Sequence, residues 1–142
     1  MALFYNFKNM LEGELKYKYT IVYVDDVEST LDFYNRAFGF ETRFLHETKT
    51  YGELETGETV LAFASHELGR SNLREYTRAD AAKPLGIEIA FVTKDVAAAF
   101  EQAVAAGAQP LSAPVMKPWG QMVAYVRAPE GTVIELGSPM DR

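Results

Sequence analysis

Two glutamates sit in stretches that are otherwise apolar. Glu88 lies in Gly86-Ile87-Glu88-Ile89-Ala90-Phe91, and Glu135 in Thr132-Val133-Ile134-Glu135-Leu136. A charge inside an apolar strand is costly unless it is paired or hydrated, so each glutamate needs a partner or an opening to solvent. Strand alternation sends Ile89 and Phe91 to one face and Glu88 with Ala90 to the other, the face a cavity would occupy. A carboxylate there can serve as acid or base, or accept from a ligand's amine or hydroxyl groups. The competing account is two glutamates at a wet cavity mouth, balanced by Arg127 or another surface base. Other reactive residue types are scarce. Only two histidines, His46 and His66, are present and no cysteine. Disulfides, thiol nucleophiles and thiolate metal sites are thereby excluded, and any metal site must lean on carboxylates. No nucleophile–His–acid arrangement or phosphate-cradling glycine loop occurs, and Gly131 belongs to a turn.

The elements that position these residues come from one pattern written twice. IVYVDDVESTLDFYNRAF from Ile21 reads as apolar strand, Asp-Val, then amphipathic helix, and IAFVTKDVAAAFEQAVAAG from Ile89 reads the same way. Asp26-Val27 recurs as Asp95-Val96, 69 residues on, and TVLAF at 59–63 recurs as TVIEL at 132–136. A duplicated supersecondary unit predicts two similar halves, with function in the cleft they enclose. The first half, about 18–66, is predicted as a strand at 19–24, a helix capped by Asp26, and strands near 41–47, 51–55 and 59–65. That helix carries Val27, Leu31, Tyr34 and Phe38 inward and is stopped by Gly39. The second half, about 86–138, has a strand near 87–92 and a helix over 96–106 with Ala99, Phe100 and Ala103 inward. Strands near 109–113, 122–127 and 132–136 follow. Each half is therefore βαβββ. Between them, His66 to Pro84 is polar and irregular, with Arg70, Arg74 and Arg78. It reads as a solvated linker, with a mobile flap over the cleft as the alternative.

At 142 residues the chain is expected to be a single domain, and its 48% apolar and 24% charged content is that of a globular protein. A net charge of −6 argues against nucleic acid and anionic membrane surfaces. No stretch has the apolar length of a membrane span, and Lys8, Glu12, Glu14 and Lys16 interrupt any signal-peptide core. A cytoplasmic location is expected, which the lack of cysteine fits. Tyr19, Ile21 and Tyr23, with Val60, Ala62 and Ala64 opposite, read either as an aromatic-walled pocket or as core packing. Trp119 and Gln121 are placed at the cavity rim. His66, after the strand closing the first half, reads as an exposed strand-end residue within reach of that rim, and His46 as an ordinary strand residue.

VDDVESTLDFYNRAFGFE in the first half and PWGQMVAYVRAPEGTVIEL in the second resemble the vicinal oxygen chelate superfamily. That group includes glyoxalase I, extradiol dioxygenases, fosfomycin-resistance enzymes and bleomycin-binding proteins. The resemblance covers about residues 18 to 138. It implies an α+β fold of paired, curved mixed sheets around a cavity, with helices on the convex face. The halves would pair within the chain or across a homodimer, and the aromatic Phe4, Tyr5 and Phe7 are candidates for the dimer contact. Relatives that use a metal take ligands from the first and last strands of each unit. The corresponding positions here are Tyr19, Ala62, Glu88 and Glu135. Only Glu135 matches the usual His, Glu, His, Glu set, so no metal or other cofactor is expected, a weakly held divalent cation being the alternative. The resemblance also sets the two glutamate strands side by side, so that like charges would raise one carboxyl and leave a shared proton.

Three functions follow. The first is a small-molecule-binding protein of the bleomycin-resistance type, with a metal-free cavity for an organic, partly hydrophobic ligand. Its ligand-binding residues would be Tyr19, Tyr23, Ala62, His66, Trp119 and Gln121. The second is a lactoylglutathione-lyase-like lyase or isomerase using Glu88 and Glu135 as catalytic residues. The third is a partner-binding domain with a vestigial cavity.

Overall fold

The computed structural model describes residues 13–140; Phe4, Tyr5 and Phe7 lie outside them. The first half comprises β1 (Tyr19–Val24), α1 (Val27–Phe38), β2 (Thr42–Leu45), β3 (Tyr51–Leu54) and β4 (Val60–Ser65). The short helix α2 (His66–Asn72) follows. The second half comprises β5 (Glu88–Val92), α3 (Val96–Ala105), β6 (Gln109–Met116), β7 (Met122–Arg127) and β8 (Val133–Gly137). Two four-stranded mixed sheets result, ordered β1-β4-β3-β2 and β5-β8-β7-β6. In each, the first and last strands of the unit run parallel, with the first at the sheet's edge. The fold is α+β, built from two βαβββ units as the repeat predicts.

Local chemistry accounts for the helices. The Asp26 carboxylate accepts from the Ser29 amide at 2.9 Å, and Asp95 from Ala98 at 3.0 Å, so both units start their helix on the repeated aspartate. Gly39 closes α1 at φ 77°, a left-handed conformation that glycine adopts without strain. Val27, Leu31 and Tyr34 face the first sheet, while Val96 and Ala103 face the second.

Both helices cover one face of their sheets and touch each other, giving one core shared by the two halves. Phe91 on β5 packs edge-on against Phe38 and Phe40 of the first half, with ring centroids 5.0 and 4.9 Å apart. Gln102 donates to the Arg36 carbonyl at 2.9 Å, and Arg36 to the Ala106 carbonyl at 3.1 Å. Tyr34 on α1 donates to Glu130, in the turn before β8, at 2.7 Å.

The connector is more ordered than a solvated linker. Ser65 caps α2 by accepting from Leu68 at 3.1 Å, and the chain then runs back across the join between the halves. Arg78 pairs with Asp25, and Arg127 donates to the Ala81 carbonyl. Gly131, at φ 105°, lets the connector pass so closely that a Cβ there would lie 2.9 Å from the Asp80 amide nitrogen. Gly131→Ala is therefore expected to lower stability by about 2 kcal/mol, through backbone strain and a backbone clash together. Urea denaturation would measure it, and a loss under about 0.5 kcal/mol would show that the connector does not rest on this turn.

Candidate functional site

Each sheet has a helix-covered face and an opposite face. On the second sheet the opposite face carries three registered rows: Glu88 beside Val133, Ala90 beside Glu135, and Val92 beside Gly137. β7 adds Tyr125 next to Glu135 and Val123 next to Gly137. Ile89 and Phe91 turn the other way, into the core, as alternation requires. The two glutamates thus stand diagonally on neighbouring strands.

Their electrostatics follow from that placement. Partial burial raises the Glu88 carboxyl above its usual range, and the Glu135 charge raises it further. Burial also raises the Tyr125 phenol, reinforced by both glutamates, and its hydroxyl lies 3.4 Å from Glu135 Oε1. Among the described residues neither glutamate has a salt-bridge partner. Arg127 is turned to the connector carbonyl instead.

Trp119 and Gln121 border the same face. The indole donates to Gln121 Oε1 at 2.9 Å, and the Gln121 amide donates to the Ser138 carbonyl at 2.9 Å. Gln121 lies over Gly137, where a Cβ would come within 2.8 Å of its Nε2. A polar clamp therefore holds the largely exposed Trp119 beyond the end of β8, where Val92 is 67% exposed. The outcome is a carboxylate pair at one end of the face and an apolar platform at the other.

The first sheet repeats the geometry with different residues. Ile21 is registered with Ala62, and Ala62 with Glu53, so Tyr19 and Ala62 are related as Glu88 and Glu135 are. Ala62 is fully buried, and the exposed aromatics of this half are Tyr19 and Phe44. Glu53, absent from the sequence expectations, accepts from the Tyr51 hydroxyl at 2.7 Å and faces Arg43 at 3.6 Å. It occupies the place that Tyr125 takes in the second half, and that correspondence between repeats was the signal that could have found it.

Tyr23 and His66 belong to neither open face. Gly69 of α2 lies so close beneath Tyr23 that a Cβ would meet its ring at 2.9 Å. Tyr76 stacks on both residues, with centroids 4.9 Å from Tyr23 and 5.8 Å from His66. His66 is not an exposed strand-end residue. It begins α2 at 8% exposure, with Nδ1 2.7 Å from the Tyr76 hydroxyl and Nε2 3.6 Å from Asp25. Burial lowers its pKa, and Arg78 lowers it further. His46 lies in the turn after β2, with Nδ1 accepting from the Thr48 amide at 3.1 Å.

A metal of the kind the resemblance implies would draw on Tyr19, Ala62, Glu88 and Glu135. Tyr19 and Ala62 belong to one sheet and the two glutamates to the other, and no histidine stands at any of the four. No cluster of three or more His, Cys, Asp or Glu suited to a metal occurs among the described residues. Two carboxylates fall short of the donor set a transition-metal centre needs, so the residues do not fit the group.

The Glyoxalase/Bleomycin resistance protein/Dioxygenase superfamily matches residues 16–136. No curated protein sequence matches the chain significantly. A glyoxalase-related enzyme from Fulvimarina pelagi superposes with a TM-score of 0.75 at 21% identity, over 87% of this chain and 88% of that one. TioX from Micromonospora sp. ML1 gives 0.68 at 22%, over 89% and 100%. A glyoxalase/bleomycin resistance protein/dioxygenase from Nocardioides gives 0.74 at 18%, over 99% and 95%. At these identities the structural likenesses establish the fold alone.

Proposed function

Because the chain belongs to the glyoxalase/bleomycin resistance protein/dioxygenase superfamily, we propose that it is a small-molecule-binding protein of the bleomycin-resistance type. It holds an organic, partly hydrophobic ligand on the open face of the second sheet, without a resident metal. The observation that carries this reading is the Glu88–Glu135 couple, without a salt-bridge partner among the described residues, on the same sheet face as the exposed Val92. A ligand's amine or hydroxyl groups meet the carboxylates, while its apolar body covers the valine and indole. Tyr125, its hydroxyl 3.4 Å from Glu135 Oε1, adds a phenol beside the carboxylates.

The raised Glu88 carboxyl supports a second reading, a glyoxalase-like lyase or isomerase in which the pair exchanges a proton with substrate. Elemental analysis of purified protein and a thermal-shift screen of organic amines and alcohols test both, since a ligand bound only to the native state raises its stability. The first reading expects no stoichiometric zinc, nickel or iron and a Tm increase that is lost in Glu135→Gln. One tightly held transition metal per chain would overturn it. A complete absence of hits would favour a partner-binding domain.

A homodimer is part of this proposal. Val115 and Met116 remain exposed on the second half outside the ligand platform, and a symmetric partner seated on them would enclose the open face. Light scattering over a dilution series is expected to return twice the chain mass, and a monomer at micromolar concentration would leave the ligand face open to solvent.

A further inference from the structure

A crevice of about 260 Å³ lies at the join between the halves; Val133 of its wall stands beside Glu88, but neither Glu88 nor Glu135 lines it. Its walls are Ile21 and Tyr23 of β1, Ile87 and Ile89 of the second half, and Tyr76 and Leu85 of the connector. Thr20, Thr77 and Thr132 supply hydroxyls, and Arg78, the one charged lining residue, is committed to Asp25.

Two features mark this as a built site. Its apolar walls have not collapsed onto one another: Ile87 is 71% exposed, Ile21 44% and Leu85 38%. The roof is fixed from several sides. Tyr76 is held between Tyr23 and His66, Arg78 by Asp25, and Ala81 by Arg127, while Asp80 rests on Gly131. A connector pinned in this way keeps the crevice open at no further ordering cost to a ligand, which is the property of a preformed pocket.

We propose that this crevice is a second binding site, for a small, flat, uncharged aromatic molecule of one or two rings bearing a single hydroxyl. Size sets the first limit: a dry cavity of about 150 Å³ accepts benzene, so this one accepts roughly two fused rings. The tilted Tyr23–Tyr76 pair, 34° between planes, offers a ring surface to stack on. The threonine hydroxyls match one polar group, and no free charge is present to favour an ion. The site adjoins the ligand face of the second sheet at Val133 but draws on neither glutamate nor on Trp119.

The test uses 2-naphthol as the probe and methyl-labelled full-length protein. NMR titration is expected to show saturable shifts of Ile21, Ile87, Ile89 and Thr132. Ile87→Trp fills the crevice from an exposed position and is expected to weaken binding at least tenfold. Leu85→Phe, on the connector, does the same by an independent route should the tryptophan variant misfold. Glu101→Gln, on the exposed side of α3, leaves binding unchanged. Shifts confined to the Ala90 and Val92 methyls, no saturable shift up to the probe's solubility, or full binding in the crevice-filling variants would each overturn the proposal.

Discussion

Tyr34→Phe is expected to destabilise the protein by about 3 kcal/mol at neutral pH, although it removes a single oxygen. Tyr34 is fully buried, and its hydroxyl donates to a Glu130 carboxylate that is itself largely buried. Without that donor a buried charge loses its partner across the two halves. The deficit should depend on pH. Burial holds the Glu130 carboxyl above its usual range, and the Tyr34 hydrogen bond acts in the opposite direction. A carboxyl raised in the native state contributes stability that is present below its unfolded value and lost as pH rises through its native value. Removing the donor raises Glu130 further, so the gap between variant and parent is smallest in mild acid and widens toward neutrality. Urea unfolding of both proteins at the two conditions measures it, and Glu130→Gln in the variant background should recover part of the loss. A pH-independent deficit below about 1 kcal/mol would show that the hydrogen bond does not hold the halves together.

The second large effect is expected at the carboxylate couple. Glu88→Gln or Glu135→Gln should each weaken ligand binding at least tenfold, about 1.4 kcal/mol. The double variant should lose less than the two single losses together, because each removes the same shared feature. Stability should move the other way. Glu88 is raised by burial and by Glu135, so its contribution is present in acid and declines as pH climbs through its native value. Glutamine at position 88 abolishes that decline, leaving the variant at least as stable as the parent at neutral pH. Carbon-13 NMR of the glutamate carboxyls follows the titration directly. Two independent, unshifted titrations, together with full ligand affinity in Glu88→Gln, would reduce both residues to solvated surface charges.

The repeat made most of the framework legible. Asp26 and Asp95 announced both helix starts, and the two closing strands, with their alternation, separated Ile89 and Phe91 from Glu88. What escaped was set by contacts between distant segments. HELGRSN carries little helical patterning, and its folding into α2 reflects a Ser65 cap and the packing of Gly69 beneath Tyr23 and Tyr76. β6 was expected to end at Ala113 but continues to Met116. It is an edge strand, where Pro110 and Pro114 cost few ladder bonds, and its register shifts at both stretches. The single enclosed cleft was also too simple a picture. The glutamates, Trp119 and Gln121 gather on one open face, Tyr19 lies on the other sheet, and Tyr23 and His66 are committed to the connector.

The two sheets differ in how freely their uncovered faces can change. Val60, Ala62 and Ala64 of the first are sealed at 0, 0 and 2% exposure, so volume constrains any replacement there. Ala90 and Val92 of the second are exposed, and side chains at both can be altered without disturbing the packed layer behind them. Duplication has therefore left the closing strand of one copy sealed and the first strand of the other a writable surface. A combinatorial library restricted to positions 88, 90, 92, 125 and 133 should consequently yield many folded members with diverging ligand preferences, whereas a library at 60, 62 and 64 should yield few folded proteins at all.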